Sequence, residues 1–232
     1  MKKFFLIVVL TLFVFQVGAE INPRIQYSIN ENWRFIRSDD ENAKQVQFND
    51  TGWQLVNFPH TWNAADAQDD EYGYYRNVAW YRRTLNIPAD KQDKQITIYF
   101  EGANQEVELF VNGISAGTHV GGYTRFSFDI TNFVRVGEQN TFAMKVNNRQ
   151  NENIPPLSAD FTFFGGIYRD VYLIFTNKIH VSTTHYASSG VYLQTPKVNN
   201  AETQVEIKTL LTNANLAKVN VRVEHTLINS GK

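Results

Sequence analysis

Asp160 sits in the run Pro155-Pro156-Leu157-Ser158-Ala159-Asp160-Phe161-Thr162-Phe163-Phe164-Gly165-Gly166-Ile167-Tyr168-Arg169-Asp170-Val171-Tyr172, one carboxylate among aromatic rings just ahead of a Gly-Gly pair. A carboxylate offers two acceptor oxygens to hydroxyls, and aromatic rings offer flat apolar faces to pyranose C–H groups. That is the chemistry of a sugar contact. The plainer reading is an aspartate that caps a local turn through its own backbone. A second loop, Asn63 to Tyr75, gathers the same kinds of group: Asn63, Asp66, Asp69, Asp70 and Glu71, with Tyr72, Tyr74 and Tyr75 as stacking faces. It lacks the Asp-x-Asp-x-Asp-Gly spacing and bidentate Glu of a calcium loop. A solvated acidic loop remains the bland alternative for it.

Both loops need a frame. The diproline fixes φ twice and removes two backbone donors, which stiffens the approach to Asp160. Gly165-Gly166 allows a sharp bend or a close backbone approach. From Ile167 the pattern reads as strand, with Val171, Leu173 and Phe175 on one side and Asp170, Tyr172 and Ile174 on the other. Upstream, alternating runs recur at Trp33–Ile36, Gln54–Phe58, Ala79–Ile87, Ile96–Phe100 and Val107–Val111, then around Phe126–Ile130 and Phe142–Val146. Asn112-Gly113 is a strong signal for a type I′ hairpin, which needs φ > 0 at both central residues. One helical turn is expected near Asp39–Lys44. These features predict an all-β fold, a jelly-roll β-sandwich over residues 20–177. Trp62, Trp80, Tyr81 and Phe128 are expected in its core.

A second unit, 178–232, is expected to hold four strands at Ile179–Tyr186, Val191–Leu193, Thr203–Leu211 and Val219–Leu227. Four strands suit the first part of an immunoglobulin-like sandwich, which has about seven. The sequence halts at Ser230-Gly231-Lys232, where a turn should feed another strand, so it reads as a fragment of a longer protein.

Residues 1–19 read as a signal peptide: Lys2 and Lys3, an apolar stretch from Phe4 to Phe15, and small residues Val17-Gly18-Ala19 before Glu20. The apolar stretch is shorter than the roughly 20 residues of a membrane span. The expected location is therefore exported, periplasmic or extracellular. With no cysteine there is neither a disulfide nor a thiolate metal site, and the core must carry the fold. A formal charge of −1 without a basic stripe makes nucleic acid an unsuitable partner.

Five segments in order resemble glycoside hydrolase family 2. They are Phe58-Pro59-His60-Thr61-Trp62-Asn63; Tyr74-Tyr75-Arg76 with Ala79-Trp80-Tyr81-Arg82-Arg83; Val111-Asn112-Gly113 through Gly117-Thr118-His119-Val120-Gly121-Gly122-Tyr123; Phe126-Ser127-Phe128-Asp129-Ile130-Thr131; and the Asp160 run itself. The resemblance implies a secreted retaining exo-glycosidase, most like a β-galactosidase. A β-glucuronidase would need a carboxylate-binding group that the sequence does not display. Asp160 would contact sugar hydroxyls, in some members through a bound cation, and Asn63 and Asp66 would line the substrate pocket. No other cofactor is implied. Retention uses two carboxyl groups about 5–5.5 Å apart, which in this family are glutamates on a (β/α)₈ barrel. No such helix–strand alternation occurs here, so no residue of this chain is assigned a catalytic role, and the fragment alone is expected to be inactive. The implied partners are a terminal β-linked sugar, galactose first, and the downstream barrel of the same parent chain; a homo-oligomer stays open. His60 is a lesser candidate for ligand contact, and Arg169 is expected to pair with Asp170 or a backbone carbonyl. A free-standing carbohydrate-binding module and a structural sandwich of a surface protein are the rival readings.

Overall fold

The computed structural model describes residues 24–67, 73–158, 160–199 and 201–228; the expected signal peptide, the stretch from Gln68 to Tyr72 and the Ser230–Lys232 turn lie outside them. Fourteen strands follow in order: β1 (Arg24–Ser28), β2 (Trp33–Arg37), β3 (Gln54–Val56), β4 (Val78–Asn86), β5 (Gln95–Phe100), β6 (Glu106–Val111), β7 (Ile114–Val120), β8 (Phe126–Asp129), β9 (Gln139–Asn147), β10 (Val171–Thr176), β11 (Ile179–Val181), β12 (Val191–Val198), β13 (Thr203–Thr209) and β14 (Leu211–Asn213). A four-stranded sheet in the order β1-β10-β5-β8 faces a six-stranded sheet in the order β3-β2-β4-β9-β6-β7. All their pairings are antiparallel. The fold is the all-β jelly roll that the patterning predicts.

Alternation decides what each sheet buries. Ile96, Ile98 and Phe100 of β5 and Val171, Leu173 and Phe175 of β10 point inward from one sheet. Trp33, Phe35, Tyr81, Leu109, Phe142 and Met144 meet them from the other. On β4 the alternate residues Val78 and Trp80 face outward, where they form a smaller cluster with Ala43, Phe110 and Ala143. A short 3₁₀ turn at Glu41–Lys44 supplies Ala43 and is capped by Asp40, whose side chain accepts from the Asn42 amide. Arg82, also outward, is buried: it bonds Asp50 at 2.9 Å and the carbonyls of Ala43 and Gln45, fastening this cover to the sheet.

The Asn112-Gly113 hairpin forms as its residues require, with φ of 53° and 83°. Strand β10 begins at Val171 rather than Ile167, because residues 165–167 pack against a neighbouring loop instead of joining the ladder; only Gly166 makes a bridge, to Asn104.

Beyond β10 the pairing is thinner. β11 pairs with β14 and β12 with β13. The expected strand Ile179–Tyr186 is only three residues long, and the expected strand 203–211 ends at Thr209, with β14 beginning two residues later. Val219–Leu227 forms no strand among the described residues. Its valines alternate in the manner of a strand, but the segment joins no ladder among the described residues; its His225 bonds the Thr209 hydroxyl of β13 at 2.8 Å. The 181–183 segment is nonetheless tied to the sandwich. Arg24 donates to the Val181 carbonyl at 2.9 Å, and the Thr97 and Thr183 hydroxyls share a buried bond at 2.9 Å.

Candidate sugar-facing site

Residues 163–165 are held by three buried side-chain amides from three different loops. Asn148 donates to the Phe163 carbonyl at 3.2 Å, Asn104 to the Phe164 carbonyl at 2.8 Å, and Asn63 accepts from the Gly165 amide at 2.7 Å. Asn148 lies just past β9, Asn104 just ahead of β6 and Asn63 in the loop between β3 and β4, outside the strand ladders, where backbone polar groups need side-chain partners. Further bonds fix the same stretch. The Tyr74 hydroxyl accepts from the Phe163 amide at 3.0 Å, Thr61 donates its hydroxyl to the Gly165 carbonyl at 2.8 Å, and the His60 amide donates to Ile167 at 2.8 Å.

The glycines make this approach possible. A Cβ at Gly165 would stand 2.1 Å from the Trp62 ring, and one at Gly166, where φ is 123°, would stand 2.5 Å from the His60 carbonyl oxygen. Neither contact can be relieved cheaply, and the second residue also occupies backbone space that favours glycine.

Ahead of this anchored stretch, Asp160 is exposed, and among the described residues its carboxylate accepts no hydrogen bond. The turn-capping bond of the plainer reading is therefore not made. Exposed Leu157, Phe161 and Phe164 surround it in sequence, and Phe161 leans on Phe163 with ring centroids 5.3 Å apart. Phe163 is buried beneath the Arg76 guanidinium, 5.0 Å from its ring centre. The result is an open carboxylate and apolar surface on a loop whose far end is clamped.

Asn63 and Asp66 stand elsewhere and face inward. No part of Asn63 is exposed. Its amide nitrogen donates to Asp66 and to the Tyr75 carbonyl, both at 3.0 Å. Asp66 spends its second oxygen on the Tyr75 amide at 3.1 Å and on Arg37 at 3.2 Å. Tyr75 presents no open stacking face on this side, since Arg37 lies over its ring at 5.1 Å and its hydroxyl donates to Val78. Arg37 also donates to the Trp62 carbonyl. The two residues thus organise the loop, and Asp160 alone of the three sugar-contact candidates reaches solvent freely.

His60 shares a 2.7 Å hydrogen bond with the Tyr81 hydroxyl and stacks edge-on to Phe35. Burial, helped by the Arg37 charge, pushes its pKa down to about 4, so it is neutral near pH 7. It lines a cavity of about 540 Å³ with Arg37, Trp53, Thr61, Trp62 and Ala64. Arg169 does not pair with Asp170. That carboxylate accepts from Asn30 at 2.9 Å and from the Tyr172 hydroxyl at 3.0 Å, while Arg169 lies over the Tyr168 ring. Among the described residues no three carboxylate, imidazole or thiol side chains gather as they would to hold a metal ion. Nor is any helix among them long and apolar enough to cross a membrane.

Sequence patterning singles out Asp160 but not Asn104, Asn148 or Arg37. A buried asparagine carries no periodic signal; its position at a strand end beside a glycine-rich loop is the one hint available.

The site can be set beside known proteins. A β-glucuronidase of Bacteroides fragilis is 40% identical over 185 residues, covering 80% of this chain and 26% of that protein. A β-galactosidase of Thermoanaerobacter pseudethanolicus is 30% identical, covering 85% of this chain and 26% of its own length. The crystal structure of a Bacteroides uniformis β-glucuronidase superposes with a TM-score of 0.76 at 39% identity, over 79% of this chain and 22% of that one. The chain thus spans about a quarter of the length of the curated relatives it matches. Residues 27–177, which hold the sandwich and both loops, match the glycosyl hydrolases family 2 sugar binding domain, and the chain belongs to that family.

Proposed function

We propose that this chain is the sugar-binding portion of a secreted retaining exo-glycosidase, and that Asp160 accepts hydrogen bonds from hydroxyls of the terminal sugar. One observation carries the reading: an exposed carboxylate without a partner among the described residues, flanked by open aromatic surface, on a loop whose far end three buried amides and two glycines hold in place. Held groups of this kind lose little freedom on binding, which favours affinity and orientation. Asn63 and Asp66 serve the same pocket from behind, by shaping the loops. The acid and nucleophile of a retaining mechanism would come from a barrel that follows residues 178–232 in the parent protein, with those residues opening an immunoglobulin-like unit. Residues 1–19 would direct export.

For the sugar, β-glucuronides come first, because the relatives near 40% identity are named β-glucuronidases. β-Galactosides come second, on the 30% identical relative with that name. A glucuronide needs a group for its own carboxylate, and the region that this chain does not span would supply it. The full-length protein should release nitrophenol from a nitrophenyl β-glucuronide faster than from the β-galactoside. Asp160→Ala should lower kcat/KM on the preferred one, with the melting temperature unchanged. A charge-assisted bond is worth about 1.5–3 kcal/mol, so the loss should be on the order of ten- to a hundredfold. No hydrolysis of any β-glycoside in a panel, or a loss within about threefold for Asp160→Ala, overturns the reading.

A further inference from the structure

We infer that Asn63 is a positioning residue that joins the two sugar-side loops into one unit, and that its effect on turnover passes through Asp160. The inference rests on the reading of Asp160 as a sugar contact and assigns a role that no exposed surface suggests.

The geometry is a continuous chain of bonds between segments about a hundred residues apart. Arg37 holds Asp66, Asp66 and the Tyr75 carbonyl accept from the Asn63 amide nitrogen, and the Asn63 oxygen accepts from the Gly165 amide at 2.7 Å. Gly165 lies five residues from Asp160, and its Cα is pressed so close to Trp62 that no side chain fits. Asn63 has neither an exposed atom nor an unused donor hydrogen, so it cannot touch a sugar directly. What it can do is set the distance between the 63–75 loop and the Asp160 loop. Thr61 makes a second tie between the same segments: its hydroxyl donates to the Gly165 carbonyl at 2.8 Å and accepts from the Asn63 amide at 3.2 Å. Misplacement of a substrate-contacting group by about 1 Å can cost on the order of a hundredfold in rate, so loosening this tie should be felt at Asp160.

A double-mutant cycle on the full-length enzyme tests it, with kcat/KM on a nitrophenyl β-glycoside normalised to the folded fraction. Asn63→Ala should lower kcat/KM by about tenfold or more in the native background and by less than about twofold in an Asp160→Ala background, since residues acting through one another are not additive. Thr61→Val keeps shape and removes only the hydroxyl ties. It should show the same dependence on background at smaller size, and it decides the matter if Asn63→Ala does not fold. Equal losses in both backgrounds would mean that Asn63 acts on turnover by a route independent of Asp160, and the proposal falls while Asp160 stands. Near-normal kcat/KM in both single variants overturns it as well. If Asp160→Ala alone has no effect, the reading of Asp160 falls first, and the route through it falls too.

Discussion

At the scale of single residues, the groups readable from sequence are those whose chemistry is displayed outward. Asp160 follows from its type, its aromatic neighbours and the glycines after it. Asn63 and Asp66 have the right types for sugar hydroxyls, yet the fold turns them inward, because a loop that leaves a sheet must find partners for its own amides before it can offer any to a ligand. His60 shows the same inward pull and carries a pH dependence. Its pKa falls from the ordinary 6.5 to about 4 on folding, chiefly through burial. An unfolded chain therefore binds a proton at this imidazole more readily than the folded one. The contribution is fully present above about pH 6.5 and is lost as pH falls toward about 4. His60→Gln can keep a bond to the Tyr81 hydroxyl without an imidazole to charge. Its melting temperature should fall less steeply than the native one between pH 6.5 and 4. Parallel curves for the two proteins would show that His60 does not carry this part of the acid sensitivity.

At the scale of elements, strands buried on one or both faces are legible; of the edge strands, β3 and β8 carry a readable alternation and β1 and β7 do not. β2, β4, β5, β6 and β9 all show the alternation that marks a core face. β1, with the sequence Arg-Ile-Gln-Tyr-Ser, is mostly exposed and pairs only with β10. β7 closes the other sheet, bulges at Ala116 beside Gly117, and is likewise open on one side. Edge strands resist pairing with other chains by being polar and irregular, which erases the pattern that would reveal them. The reverse error occurs at Val219–Leu227, where Val219, Val221 and Val223 alternate but remain nearly half exposed. Periodicity reports a face; it does not report a partner. The same contrast predicts local stability. β9 is paired on both sides and buried along most of its length, whereas among the described residues β12 and β13 pair only with each other and are largely exposed. In the 232-residue chain, amides of β9 should exchange at least about a hundredfold more slowly than those of β12 and β13. Equal protection in the two regions would show that the second unit is as firmly closed as the sandwich.

At the scale of the whole molecule, the division between binding and bond breaking decides what this chain can do alone. Hydrolysis with retention needs one carboxyl group as acid and another as nucleophile, about 5–5.5 Å apart across a sugar. Asp160 stands open, and among the described residues no cluster of three carboxylates includes it. Asp39 and Glu41 do share a partner, Lys145, but Arg149 also bonds Asp39 at 2.9 Å and holds its pKa below the ordinary value. A carboxylate held ionised by two cations is a poor proton donor at neutral pH. On the proposed reading this chain supplies recognition and scaffold, and the acid–nucleophile pair comes from the barrel of the parent protein. The purified 232-residue chain should give no turnover of a nitrophenyl β-glucuronide or β-galactoside above the rate in buffer, while the full-length protein hydrolyses one of them. The chain should also fail to gain activity across pH 4–8, because on that reading no change of protonation supplies a pair that another domain holds. Turnover that follows the chain through successive purification steps and is lost in Asp160→Ala would mean that the chemistry resides here, and the assignment of this chain to binding alone would have to be given up.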